Sequence, residues 1–546
     1  MTEKIILGNV ITMDGNLPKA EAVAVKDGKI VCVGSKEEAR AAVSKDAEVL
    51  DYSGYYVYPG FLEPHTHGTL AGSRAIGQAD LSMVFPTDYE EYKKIIIKFI
   101  EDNPGKDYYL AAGWVEDGTP LDYRYLDDIC ADYPLIMNSA GGHACLLNTK
   151  AMEKYGFNDE SVKKFGVDLV HVGEDGHPNG YLCEAPCINL IGGLPNEVAD
   201  VKKYILKWQE MALSKGFTAV ADAGVELLSK NSAQAYKELE AEGKLVMRTY
   251  GYLLVKDNPE NPEAEVERIA DEKAKISGEY FKVVGVKAFL DGVIEAHTGW
   301  LLEDYDDQAG YHGFERYNDE DKMVRLLVAA SKKGLPVHVH SEGDGATKYM
   351  LNCIAKAQEI SKDYDQRNML AHLHLVADED IKKMASTHSI AAVAPLWTPF
   401  FPGEGEQEVA YVGQHRSDVS YPIKSFVDEG ATIVYHSDYP ISPYMDISRS
   451  VYMAETRGCP DANLGGPVKT ARNTKEAVDR KASLEALTKN VAYAWHEEDR
   501  MGSIENGKLA NFAVVDFDFL EGEIDKVPDG KIIATIVDGN VVYSGK

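Results

Sequence analysis

The sequence predicts an α/β fold: a (β/α)8 TIM-like barrel, a small β-sandwich domain formed by both termini, and an insertion after the first barrel strand. Three patterns indicate this architecture. Eight short apolar runs alternate with helical stretches along the central part of the chain. Both ends of the chain show short strands separated by turns. Finally, roughly 150 residues separate the first apolar run from the second, far more than an ordinary strand-to-helix connection.

The two flanks are predicted to be β structure. The N-terminal flank has strand patterns at 5–12, 22–25, 29–33 and 48–51, broken by Asp-Gly and Ser-Gly turns. The C-terminal flank repeats this style at 512–516, 532–537 and 541–543. We therefore assign 1–60 and 495–546 to one β-sandwich domain and 61–494 to the barrel. The alternative is two unrelated β appendages.

The barrel strands are predicted from the apolar runs 60–62, 218–222, 246–254, 281–290, 336–340, 369–375, 390–394 and 432–436. Helical periodicity fills most of the gaps between them, as at 201–213, 321–332 and 378–384. The long gap holds a predicted helix at 89–100, an apolar segment at 135–138 and several glycine turns. We interpret about 70–200 as a subdomain inserted over the barrel mouth.

Composition narrows the class of protein. The chain has 57 Lys plus Arg and 88 Asp plus Glu, a net charge of −31, which disfavours nucleic acid and anionic membranes as partners. No stretch approaches about 18 consecutive apolar residues, and the N-terminal residues lack a signal-type apolar segment. Seven scattered cysteines argue against a disulfide framework. We expect a cytoplasmic protein that acts on a small molecule; a homodimer is compatible with the sequence.

Histidines are concentrated in pairs at the ends of predicted barrel strands. About 0.4 His-x-His patterns are expected by chance, and the chain has three. They are His65 with His67, His338 with His340, and His372 with His374. On a strand, residues i and i+2 face the same side, so each pair is expected to present two imidazoles to one surface. Where barrel strands converge, such imidazoles form a site suited to zinc and similar metals.

An acidic residue completes this pattern at the last barrel strand. Asp438 follows the apolar run 432–436 directly. Taken alone, a His-x-His pair is more commonly packed or exposed, and Asp438 is equally well explained as a turn or N-cap acid. Three pairs together with Asp438 favour a metal site at the strand ends.

Longer motifs resemble a known family. The stretch 58–67, Tyr-Pro-Gly-Phe-Leu-Glu-Pro-His-Thr-His, resembles the opening signature of the metal-dependent amidohydrolase superfamily. The stretch 507–516 is similar to its C-terminal β return, with Asn511 where an Asp is more usual. Further blocks resemble the branch that contains N-substituted formamide deformylases, amidohydrolase family 3. They include Gly113-Trp114, Gly142-His143 with Asn148, 176–184, 286–292, 340–344 and 437–440.

The resemblance implies a divalent-metal centre, with zinc as the expected ion and one or two ions bound. It assigns His65 and His67 to one metal, and His340 and His372 to a second. Asp438 matches the acid that contacts metal and takes a proton from the attacking water. Lys287 falls where many relatives use a carboxylated lysine to bridge two metals, because an unmodified Lys⁺ cannot ligate a cation. Two alternatives stay open: Lys287 pairs with Asp291 or another acid, or Glu184 is the bridging carboxylate.

Other polar residues are candidates for supporting roles. His338 and His374 have no family assignment and are expected to support the site or to pack. Four residues are candidates for the substrate pocket, although each is equally well explained as structural: Trp114, His143, Asn148 and Asp291.

The predicted reaction is hydrolysis of a C–N bond in an amide, formamide or imide-like compound by metal-activated water, with Asp438 as general acid/base. Three alternatives remain. The same barrel could hydrolyse an ester, lactone or phosphoester. An N-acyl-D-amino-acid deacylase would need a cation in the pocket, and neither Arg74 nor Arg124 can be placed there from sequence. A non-enzymatic metal-binding scaffold is disfavoured by the complete set of predicted ligands.

Overall fold

The computed structural model describes residues 2–82, 84, 87–361 and 365–545. Its central feature is a nearly closed sheet of eight parallel strands, each paired with the next along the chain. The strands are Phe61–Thr66, Phe217–Ala223, Arg248–Leu254, Phe281–Phe289, Val337–Ser341, Met369–His372, Ile390–Val393 and Thr432–Tyr435. All eight predicted barrel strands are therefore present, and the predicted (β/α)8 barrel is confirmed.

Helices cover the outside of the barrel with their apolar faces inward. The first five after the strands are Gly68–Gly77, Val198–Ser214, Ser232–Ala241, Pro262–Lys275 and Glu320–Lys332. Those that follow are Asp344–Ile360, Asp378–Ser386, Glu404–Asp418, Ile423–Asp428, Ile447–Thr456, Gly466–Thr470, Arg480–Ala486 and Lys489–Ala494. Local sequence sets several of their starts. Asp319, for example, caps Glu320–Lys332 by accepting a hydrogen bond from the Lys322 amide.

The strands of the two chain ends, for which the sequence predicts a β-sandwich, pair in one continuous seven-stranded sheet. Its strands are Glu3–Ile11, Lys19–Lys26, Lys29–Gly34, Glu48–Pro59, Phe512–Val515, Ile532–Val537 and Asn540–Ser544, with one short helix, Lys36–Ala41. Glu48–Pro59 lies at the centre, parallel to Glu3–Ile11 and antiparallel to Phe512–Val515. It continues through Gly60 into the first barrel strand, so the terminal sheet and the barrel share one length of backbone. The exact domain limits given above stay predictions.

The insertion after the first barrel strand folds around a sheet of its own. Its strands are Ala79–Asp80, Tyr109–Trp114, Leu135–Ser139, Ala144–Leu147, Val170–Val172 and Pro178–Cys183. Its helices are Tyr89–Asp102, Tyr123–Asp127, Thr149–Tyr155, Asp159–Phe165 and Glu184–Gly193. Tyr92, Trp114 and Met137 belong to its apolar core. The predicted helix at 89–100 and the apolar segment at 135–138 both fall on regular elements of this unit.

Two negative observations concern the described residues. None of the helices in that part of the chain is both long enough and apolar enough to cross a membrane. All seven cysteines, which lie within these residues, are free thiols.

Gly72 is where helix Gly68–Gly77, which follows the first barrel strand, packs closely on a neighbouring barrel helix. A Cβ added at Gly72 would meet backbone atoms of Tyr204, in helix Val198–Ser214, at less than van der Waals contact. We expect Gly72→Ala to lower the free energy of unfolding by about 1–3 kcal/mol, because the two backbones must separate. Gly193→Ala is the matched helical control, since nothing lies within 4 Å of an added Cβ there. Denaturant-induced unfolding measures the free energy of unfolding of both variants. Equal values for Gly72→Ala and Gly193→Ala would contradict the close packing at Gly72.

Candidate metal centre and active site

The first and eighth barrel strands meet at a seam made by the residues that follow them. The Asp438 amide donates to the His65 carbonyl at 3.1 Å, and the His67 amide donates to the Tyr439 carbonyl at 2.9 Å. Glu63 reinforces this seam by accepting from the Ser437 amide at 3.1 Å. Burial raises the pKa of Glu63 to about 8. The backbone of the seam therefore brings the side chains of the first and last strands together.

Three of these side chains form a group that could hold a metal ion. Nε2 of His65 lies 3.2 Å from Oδ1 of Asp438, and Nε2 of His67 lies 3.1 Å from the same oxygen. The three ligand atoms lie within 4.8 Å of one another, and all three residues are buried. Two imidazole nitrogens and one carboxylate oxygen are a donor set that suits zinc. The predicted combination of His65, His67 and Asp438 is therefore assembled in space.

The charge state of Asp438 suits a metal ligand. Burial raises the pKa of its carboxyl group, but the contact with His67 and the neighbouring imidazoles outweigh burial and hold the pKa well below its usual range. The group is therefore ionised, as coordination requires. Asp438 also has a φ of 55°, in the left-handed region that non-glycine residues rarely adopt. Backbone strain of this kind is typical of functional sites.

His340 and His372 lie beside the first group. Their ring centroids are 4.5 Å apart, and the His372 ring is 5.0 Å from the His65 ring. Nδ1 of His372 lies 4.0 Å from Oδ2 of Asp438, so the carboxylate faces both groups. Nε2 of His340 is 2.9 Å from the carbonyl oxygen of Gly292. Burial lowers the pKa of both histidines well below the usual value, which keeps them neutral.

Lys287 lies inside the centre. Its Nζ is 3.4 Å from Nε2 of His65 and forms no ion pair with any described residue. Burial lowers the pKa of Lys287 to about 7, although Asp438 opposes this shift. The alternative that Lys287 pairs with Asp291 is wrong. Both Asp291 oxygens instead accept backbone N–H groups of Trp300, Glu342 and Gly343, at 2.8–3.1 Å.

Glu184 belongs to an ion-paired group at the edge of the centre. One of its oxygens accepts from Arg316 Nη2 at 2.7 Å and lies 3.1 Å from Nδ1 of His143. Burial raises the pKa of Glu184, but His143 and Arg316 outweigh it and lower the pKa to about 2. The His143 ring centroid is 6.0 Å from that of His340. The structure thus places His143 next to the centre and pairs Glu184 with Arg316 and His143.

Two predicted pocket residues are engaged elsewhere. The Asn148 side chain accepts from the amides of Leu135 and Ala151 and donates to two carbonyls, all at 2.7–3.0 Å. These bonds cap helix Thr149–Tyr155 and use both donors and both acceptor positions of the side-chain amide, so none is left for a substrate. Trp114 is buried in the insertion's core, edge-on to Tyr181 with centroids 5.8 Å apart. The contacts of Asn148, Trp114 and Asp291 therefore stabilise the fold around them, and none of these contacts points to a role in binding substrate.

The expectation that each His-x-His pair faces one surface is wrong for His372 and His374. Strand Met369–His372 ends there, because His372 has a φ of 84° and Leu373 one of 52°. His374 is consequently turned between Glu342 and Glu408, with nitrogen–oxygen distances of 3.3 and 3.2 Å. Burial alone would lower its pKa, but these carboxylates raise it to about 10. His374 thus belongs to a separate buried ion cluster.

Sequence reasoning missed three polar residues around the centre. His436 lies with its ring centroid 5.0 Å from that of His65, and burial lowers its pKa to about 4. Asp222 is buried at the end of the second strand, where burial raises its pKa to about 6 although His67 lowers it. Both occupy the carboxyl end of a predicted strand, and His436 precedes Asp438 by two residues, so position alone could have identified them. Arg316 lies outside the helices and strands, where the sequence has no comparable signal.

Comparisons with known proteins agree with this geometry. Residues 48–543 match the model of the Amidohydrolase family. The chain belongs to this family. An N-substituted formamide deformylase from Arthrobacter pascens is 26% identical over 557 residues, covering 99% of this amidohydrolase and 98% of that enzyme. The protein LONG AFTER FAR-RED 3 of Arabidopsis thaliana is 24% identical over 552 residues, covering 98% and 90% of the two chains.

A solved structure confirms the fold of this amidohydrolase. A metal-dependent hydrolase from Pyrococcus horikoshii OT3 superposes with a TM-score of 0.76, at 22% identity, over 96% of this chain and 99% of that one. The predicted family resemblance and fold class are both confirmed. Family membership, together with the His65, His67 and Asp438 group, indicates a metal-dependent hydrolase.

Metal should stabilise this amidohydrolase through the grouped histidines. We expect Zn²⁺ added to metal-free protein to raise Tm, because an ion that binds only the folded state adds about 2.7 kcal/mol at a hundred times its Kd. His67→Ala should remove most of this shift. His312→Ala is the control, because the His312 side chain is 47% exposed and pairs with the neighbouring surface residue Glu315. Differential scanning calorimetry measures Tm with and without Zn²⁺. If Zn²⁺ raises the Tm of His67→Ala as much as that of the unmodified protein, His67 is not a ligand.

Proposed function

We propose that this amidohydrolase hydrolyses a C–N bond of a small amide, formamide or imide-like substrate, using a metal-activated water and Asp438 as general acid/base. One observation carries the proposal. The single Asp438 carboxylate borders both histidine groups, with Oδ1 on His65 and His67 and Oδ2 towards His372. A carboxylate in that position can both bind metal and exchange a proton with the reacting atoms.

The chain's own residues divide into two ligand groups. His65, His67 and Asp438 would hold one divalent ion, and His340 with His372 would hold a second, with zinc as the expected metal. The bound metal would supply Lewis acidity, lowering the pKa of water and polarising the substrate carbonyl. The proposed ligands are buried, which restricts bulk water and strengthens their electrostatic effect on the reacting atoms.

Asp438 would move the proton. Its carboxylate is ionised before reaction, so it can accept a proton from the attacking water. An amide nitrogen is a poor leaving group, and it must be protonated as the C–N bond breaks. Asp438 would then return the proton to that nitrogen. Oδ1 would join His65 and His67 in holding the ion, which leaves Oδ2 as the oxygen suited to this exchange.

We propose carboxylated Lys287, rather than Glu184, as the carboxylate shared by the two ligand groups. Lys287 Nζ is 3.4 Å from the ligand nitrogen of His65, so a carboxylate added to Nζ would lie within the centre. Burial favours the neutral amine, and that form is the one able to react with CO2. Glu184, in contrast, is already paired with Arg316 and His143.

The substrate would meet the insertion at His143. The His143 side chain is 12% exposed, against 4% for Glu184 and 6% for Arg316, so it is the most accessible of the three. Arg316 is neutralised by Glu184 and by Asp257, and Arg124 is a surface residue paired with Asp122. These pairings leave neither Arg316 nor Arg124 free for a substrate carboxylate, which favours an uncharged acyl compound over an N-acyl amino acid. Similarity to the Arthrobacter enzyme favours an N-substituted formamide.

A substrate panel tests the reaction class. Zinc-loaded protein should release amine from N-substituted formamides faster than it hydrolyses N-acyl amino acids, lactones or simple esters. Asp438→Asn should lower turnover by about 10²–10⁴-fold, because proton transfer is lost, while metal content stays largely unchanged. Asp132→Asn, at an exposed position, is the control. Turnover of esters alone would contradict C–N hydrolysis, and near-normal activity of Asp438→Asn would exclude it as the proton carrier.

Metal content separates Lys287 from Glu184. Lys287→Ala should lose the ion held by His340 and His372, so metal per chain and activity both fall. Added acetate should restore part of each by replacing the missing carboxylate. Glu184→Gln should keep its metal content, and Lys94→Ala, at an exposed site, is the control. Elemental analysis after dialysis measures the outcome; metal loss in Glu184→Gln but not in Lys287→Ala would reverse the assignment.

A further inference from the structure

His338 is a buried histidine that the proposed reaction does not use. Its Nε2 lies 2.7 Å from Nδ1 of His65, and neither side chain is exposed. The Tyr252 ring packs edge-on against it, with centroids 4.9 Å apart. Its other nitrogen, Nδ1, has no hydrogen-bond partner among the described residues. The contact with His65 is therefore the one polar interaction that the structure gives this side chain.

We propose that His338 is a positioning residue that fixes the tautomer of His65, so that Nε2 of His65 presents its lone pair to the metal. The inference rests on the metal centre of the proposed function. A neutral imidazole carries one N–H and one lone pair. Nε2 of His65, the atom beside Asp438, must present its lone pair to bind the ion, so the proton of this imidazole must be on Nδ1. That N–H then donates to Nε2 of His338.

The opposite arrangement of protons is incompatible with metal binding. If Nε2 of His338 carried the proton, it would donate to Nδ1 of His65. His65 would then carry its own proton on Nε2, and this N–H would point at Asp438 where the ion must bind. A doubly protonated His338 would have the same effect. The geometry therefore requires a neutral His338 with its proton on Nδ1.

The choice of partner also affects the metal. A ligand imidazole usually donates its second N–H to a carboxylate, a backbone carbonyl or water, and a carboxylate makes the ligand more basic. His338 accepts the hydrogen bond without adding negative charge. His65 would consequently donate less electron density, and a bound ion would keep more of its Lewis acidity. His338 thus orients His65 without weakening the metal as a catalyst.

Two variants of the full-length protein test this role. His338→Gln keeps an acceptor, the amide oxygen, on a side chain able to reach His65. His338→Phe keeps a ring of similar volume but has no acceptor. We expect His338→Phe to lower Zn²⁺ affinity by about 10–100-fold, measured by competition with a chromophoric chelator. His338→Gln should retain most of the affinity, and His312→Phe, at an exposed position, is the control.

Cobalt provides a readout that is independent of activity. The visible spectrum of Co²⁺-substituted protein should change in His338→Phe and stay close to the unmodified spectrum in His338→Gln. Equal affinities and equal spectra for the two variants would overturn the role of His338, whereas the proposed function would still stand. Absence of metal binding in the unmodified protein would instead contradict the proposed function.

A measurement on unmodified protein covers the case in which a variant does not fold. In zinc-loaded protein with ¹⁵N-labelled histidine, the His65 proton should reside on Nδ1 and the His338 proton also on Nδ1. Nuclear magnetic resonance assigns both tautomers from the nitrogen shifts and the ring couplings. A proton on Nε2 of His338 would overturn the proposal.

Discussion

The barrel closes through the same few residues that form the metal centre. The first and eighth strands are joined by the amide of Asp438 on the carbonyl of His65, and by the amide of His67 on the carbonyl of Tyr439. Glu63 adds a carboxylate to this seam. Each of these bonds fixes backbone directly beside a candidate ligand. Closure of the barrel and convergence of His65, His67 and Asp438 are therefore one structural event, and a shift along the seam would separate the ligands.

Burial and the neighbouring charges together set which histidines around the centre are neutral and which are protonated. Desolvation disfavours protonated imidazoles, and it lowers the pKa of His340 and His372. Only two residues further along the chain, His374 has a pKa raised to about 10, because Glu342 and Glu408 flank it. The left-handed backbone at His372 causes this difference by turning His374 away from the centre. One His-x-His motif thus places a neutral imidazole beside the candidate metal centre and a cation in a neighbouring ion cluster.

Sequence patterns predicted the barrel strands well because each strand is buried, short and followed by a helix. They also identified the candidate ligands, since the carboxyl ends of barrel strands converge. The pairing of Glu184 with Arg316 could not be predicted, because it joins the insertion to a distant loop through 132 residues of chain. The i, i+2 rule placed His338 on the correct side of its strand but could not show that its imidazole contacts His65. It failed at His374, where the strand has already ended.

The insertion completes the site through a strained residue. Glu184 begins helix Glu184–Gly193 with a φ of 50°, a conformation that costs about 1–3 kcal/mol in a non-glycine residue. That conformation places its carboxylate against Gly292, where a side chain would meet it at 2.9 Å, and the Gly292 carbonyl in turn contacts His340. Arg316 and His143 hold the carboxylate there through ion pairs. The strain is therefore compensated by contacts that connect the insertion to the candidate metal centre, so the insertion and the barrel contribute residues to one contiguous polar site.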